Sequence, residues 1–144
     1  MDNKKDWKPI KLKAVDDQDL QVFSQCLYEA IVVSSEINYD HIAKQFAMAI
    51  ERFTWEHAGE KSHLLMQVLS ILVVNNVEKI DMKKIFNEHK IKSILSISNI
   101  DNNILIMLND DEIITLKVNK CFCLLEDIGK PINPAIIPAY SKND

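Results

Sequence analysis

Residues 46 to 56 read Phe46-Ala47-Met48-Ala49-Ile50-Glu51-Arg52-Phe53-Thr54-Trp55-Glu56. Phe46, Met48 and Ile50 alternate with small or polar residues, the period-two pattern of a strand with one buried face, and this commits the middle of the chain to sheet. Phe53 and Trp55 fall on the opposite parity. Either both faces are covered at that end, or a β-bulge near Glu51 and Arg52 shifts the register. The bulge is the preferred reading. Arg52 is the only arginine in the chain, and sixteen lysines carry every other basic charge. A guanidinium is planar, permanently charged and bidentate where an ammonium is a point charge. Arg52 is therefore expected to hold a carboxylate, with Glu56 and Asp127 the first candidates and its stem lying on Trp55 or Phe53. The competing reading gives Arg52, Trp55 and Glu56 to the capture of an anionic ligand. A salt-bridged arginine between elements needs no ligand to explain it, so a structural anchor is preferred.

Working outward, residues 31–39 are rich in β-branched side chains. With a polar break at Asp40 and His41, they form a hairpin with residues 44–55. Residues 10–14 are a short strand. Asp16, Asp17 and Asp19 then supply N-cap groups and negative charge for a helix running to about Ala30, with Leu20, Phe23 and Leu27 as its core stripe and Val22 and Cys26 beside it. A polar loop at 57–62 precedes an apolar run, 64–74, that is expected as a central strand because both parities are apolar. Asp81 is read as the cap of a short helical turn aligning Met82, Ile85, Phe86 and His89. Strands are expected at 91–98, 104–109 and 112–118, joined by turn clusters at 99–103 and at Asp110-Asp111. A last helix is expected over 119–128, stopped by Gly129 and Pro131. The expected architecture is α+β: a curled, largely antiparallel sheet of about seven strands with two main helices, the inventory of a pleckstrin-homology-like split barrel.

At 144 residues, 47% hydrophobic, the chain fits one domain with a sizeable core. Residues 1–8 are read as a flexible start and 131–144 as an extended tail, because three of the four prolines lie there. Ile132, Ile136, Ile137 and Tyr140 are expected to pack the tail back on the domain. A formal net charge of −4 opposes the phosphate neutralisation that nucleic acids reward, so nucleic acid is not expected as a partner. The early lysines are followed by no apolar signal region, and the run 64–74 is too short to span a bilayer. A cytoplasmic protein that does not use membranes is the expectation. Cys26, Cys121 and Cys123 form no disulfide framework, which fits a reducing compartment.

Chemistry-bearing groups are sparse. Glu56, His57 and His63 offer zinc-type ligands, but not in the tight pairs of a structural site. Cys121 and Cys123, two apart, point away from each other on a helix and share a face only on a strand. No serine sits in a nucleophile elbow, and two glycines leave no phosphate cradle. The expectation is therefore no catalytic residue, no metal and no cofactor.

Several stretches resemble a known family: residues 12–16 with Asp19 and Leu20, then Ser24, Glu29 and Ala30, then Phe46 through the element Arg52-Phe53-Thr54-Trp55-Glu56, and lastly Val118, Leu125, Asp127 and Gly129. Together they look like the skeleton of the DUF2948 family of alphaproteobacteria. This sequence departs from the pattern at Tyr28, in the segment 82–90, and in having no tryptophan after Gly129. The resemblance implies a fold and a bacterial cytoplasmic setting, and no reaction. The leading functional expectation is a non-enzymatic protein-interaction or regulatory adaptor domain, with an unknown protein or a second copy of the chain as partner. The alternative is a small-molecule or anion binder with a site near Arg52 and the 56–63 loop.

Overall fold

In the computed structural model, which describes residues 7–57, 65–82 and 91–133, nine antiparallel strands form two sheets around one helix. The strands are β1 (Lys11–Ala14), β2 (Ile31–Asp40), β3 (Gln45–Phe53), β4 (Gln67–Val74), β5 (Val77–Asp81), β6 (Ile94–Ile100), β7 (Asn103–Leu108), β8 (Ile113–Val118) and β9 (Cys123–Asp127); the helix, α1, is Asp17–Leu27. One sheet has the order β1-β9-β4-β3-β2 and the other β5-β8-β7-β6. Their inner faces share one apolar core: Phe46, Met48, Ile50, Leu72, Val74 and Leu125 from the first, Ile97, Ile104, Ile106, Ile114 and Leu116 from the second, and Leu20, Phe23 and Leu27 from α1.

Local chemistry accounts for the corners. Asp16 caps α1 by accepting from the Asp19 backbone N–H at 2.8 Å, and Asp19 accepts in turn from the Val15 N–H at 2.9 Å. This reciprocal box satisfies two amides at the helix entrance. The helix ends at Leu27, because Glu29 adopts a left-handed φ of 61°. With so few glycines in the chain, Asp and Asn take the left-handed turn positions: Asp101-Asn102 and Asp110-Asp111 are consecutive positive-φ pairs at the tips of the β6-β7 and β7-β8 hairpins. α1 also shields the edge of the second sheet. The Ser24 hydroxyl accepts from the Ile97 N–H at 2.9 Å and donates to the Ile97 carbonyl at 2.8 Å, while Asp17 accepts from the Asn99 N–H at 2.8 Å. The edge strand β6 thus bonds to helix side chains at Ile97 and Asn99, while at its start Ile94 exchanges backbone hydrogen bonds with Glu29 and Ala30 at the entry to β2.

Four expectations need correction. The segment 119–128 contains no helix, because residues 123–127 are strand β9, held between β1 and β4. Two main helices become one among the described residues, and the split barrel loses the C-terminal helix expected of it. Gly129 is no helix stop either: both Ile128 and Gly129 donate to the Leu69 carbonyl, at 2.9 and 3.0 Å, so two residues oppose one across the strand pair. Asp81 ends a strand, β5, that the sequence reading did not include, and residues 83–90 of the expected helical turn lie outside the described part. The bulge is likewise elsewhere. β3 pairs with β4 without interruption from Phe46 opposite Val74 to Phe53 opposite Gln67. The shift lies in β2, where Val32 opposes Ile50 but Ile37 opposes Met48.

Candidate functional site

Because β3 stays in register, Arg52 continues the inward series Phe46, Met48 and Ile50, and Phe53 faces the other side of the sheet. The one arginine is thus placed at the end of the apolar core, fully buried. All five of its N–H groups are used. Nε donates to Asp127 Oδ1 at 2.7 Å and Nη2 to Asp127 Oδ2 at 2.8 Å. Nη1 and Nη2 donate to Glu56 Oε1 and Oε2, both at 2.9 Å, and Nη1 also donates to the Phe53 carbonyl at 3.1 Å. One guanidinium grips two carboxylates, each bidentately.

Asp127 is saturated as well. Its side chain is fully buried, and besides Arg52 it accepts from the Ser70 hydroxyl at 2.7 Å and from the Ile10 backbone N–H at 2.8 Å. The Asp127 N–H donates to the Ile10 carbonyl at 2.9 Å. The cluster therefore ties the entry to β1, strands β3, β4 and β9, and the 3-10 turn Trp55–His57 that carries Glu56. Burial disfavours the ionised form of Asp127, but the hydrogen bonds from Arg52, Ile10 and Ser70 and the arginine charge outweigh it and hold the carboxyl below its ordinary range. Burial likewise opposes the Arg52 charge, and bonding to Asp127 and Glu56 outweighs it, raising the guanidinium further above its ordinary value.

Trp55 faces Phe53 edge-on at 6.1 Å between ring centroids and Tyr28 at 5.9 Å, and its indole N–H donates to the Tyr28 carbonyl at 2.7 Å. The aromatic pair thus clips the end of α1 to the turn that holds Glu56. Of the other residues weighed for chemistry, Cys121 and Cys123 are both buried and lie in extended chain on one face; burial raises both thiols above their ordinary range. Burial also raises Cys26, which lies within the electrostatic reach of Arg52, Glu56 and Asp127. No group of three or more His, Cys, Asp or Glu among the described residues could hold a metal ion. His57 closes the 3-10 turn, and His63 lies outside the described residues. Trp7, ahead of β1, is half-buried with its indole N–H shielded from solvent.

Two polar residues escaped the sequence reading. Ser70 was visible only as an interruption in an apolar run, yet it is the hydroxyl that completes Asp127. Lys92 is buried between Glu112 and Asp110, with Asp110 at 3.7 Å and Glu112 in direct hydrogen bond.

Other exposed groups lie on the outer face of the five-stranded sheet. By register, Ala47, Val73 and Leu124 form one row across β3, β4 and β9, and Ala49, Ile71 and Glu126 form the next, with Glu126 3.9 Å from Lys11 on β1. Leu69 follows on the same face, 39% exposed, with Ile128 at 56% beside it and Ile132 at 53% bridged to the neighbouring Gln67. Lys11 and Lys13 on β1 border this apolar strip on one side and Glu51 on β3 on the other.

No helix of the described residues is long and apolar enough to cross a membrane. No curated protein and no solved structure matches the chain. A family model described as a protein of unknown function, DUF2948, matches residues 10–140, so with this arginine-centred skeleton inside the matched span, the chain belongs to the DUF2948 family.

Proposed function

We propose that this is a non-enzymatic, cytoplasmic protein-interaction domain whose docking surface is the outer face of the five-stranded sheet. The observation that carries the reading is the strip formed by Ala47, Ala49, Leu69, Ile71, Val73, Leu124 and Ile128, apolar and half-buried or exposed on one face. An apolar patch bordered by charged residues, here interrupted on β9 by Glu126 between Leu124 and Ile128, is a mark of a protein contact. The anion-binding alternative weakens at Arg52 itself: every donor is already occupied, and an incoming anion would have to displace a buried carboxylate from a bidentate pair. Arg52, Trp55 and Glu56 act in this reading as the frame that holds β3 and β9 flat beneath the docking face.

The test uses full-length protein on beads exposed to native cytoplasm, with capture read by mass spectrometry. Ala49→Arg places a large charged group on the strip without opening a cavity, and Ile113→Lys does the same on the outer face of the other sheet. The reading expects proteins retained by wild type and Ile113→Lys to be lost with Ala49→Arg. Equal capture by all three, with melting temperatures unchanged, would remove the outer face as the docking surface.

A further inference from the structure

We draw no further inference here: the strongest candidate, the apolar strip on the outer face of the five-stranded sheet, belongs to the docking reading already given, holds Glu126 paired with Lys11 of the same chain, and nothing in the structure shows what covers it.

Discussion

Replacing Arg52 by lysine keeps the charge and removes the fork, which makes it the sharpest test of the buried cluster. The guanidinium makes five hydrogen bonds, four of them to carboxylate oxygens. An ammonium has three N–H groups and cannot face Asp127 and Glu56 bidentately at once. At least two charge-assisted bonds are lost, each worth about 1.5–3 kcal/mol where the partner is buried. Part is regained where the ammonium reaches Asp127, so the net loss should be about 3 kcal/mol. For a chain of this length about 2–4 °C of melting temperature accompanies each kcal/mol, so circular dichroism should show a fall of about 6–12 °C. Arg52→Met leaves Asp127 buried without its counter-charge and should cost more, about 3–5 kcal/mol. Adding Asp127→Leu to Arg52→Met removes the stranded charge and should recover much of that loss. A melting temperature for Arg52→Lys within one degree of wild type would refute the structural role assigned to the fork.

Acid sensitivity follows from the sign of the Asp127 shift. Its folded pKa is depressed, so its contribution is fully present above the ordinary carboxylate range and is lost as pH falls below about 4. Denaturant midpoints of wild type should fall across that acid window, and Asp127→Asn should flatten the slope while lowering stability at neutral pH. Asp16→Ala removes the N-cap acceptor of α1 and should cost about 1 kcal/mol in urea unfolding; no change would mean that the cap contributes nothing. Gly129→Ala would place a Cβ 3.1 Å from the Leu69 Cβ, an atom fixed by the β4 backbone that no rotamer change can move, so the loss should be about 1–3 kcal/mol. Chelator should leave the melting temperature unchanged and elemental analysis should find no stoichiometric metal; zinc whose removal unfolds the domain would direct attention to His57 and His63.

The cluster was legible because its signals were chemical. An arginine alone among lysines, inside an alternating strand, pointed to Arg52, and the two carboxylates named for it are the two it holds. Its setting was less legible. The aromatic residues Phe53 and Trp55 were taken as evidence of a bulge, yet Phe53 is buried on the outer side of an uninterrupted strand. Parity cannot separate a shifted register from a face covered at one end. β9 was misread for a related reason. Leu124 and Leu125 are both apolar because both faces of that strand carry apolar side chains, and adjacent apolar residues before Gly129 and Pro131 imitate the end of a helix. Ser70 could not be recognised at all, since its partner Asp127 is 57 positions away and only the β4-β9 pairing brings them together. The turns read well, because paired Asp and Asn residues state their own geometry. The outer strip was present in the alternation of β3 and β4, but whether such residues face solvent or a second layer depends on the whole fold.

The most direct test of the docking reading is site-specific photocrosslinking in cells. A benzophenone side chain introduced at Val73, on the outer face of the five-stranded sheet, should yield discrete protein adducts, whereas the same group at Met107, on the outer face of the four-stranded sheet, should yield none. Adducts at Met107 without adducts at Val73, or none at either position in folded, expressed protein, would contradict the account.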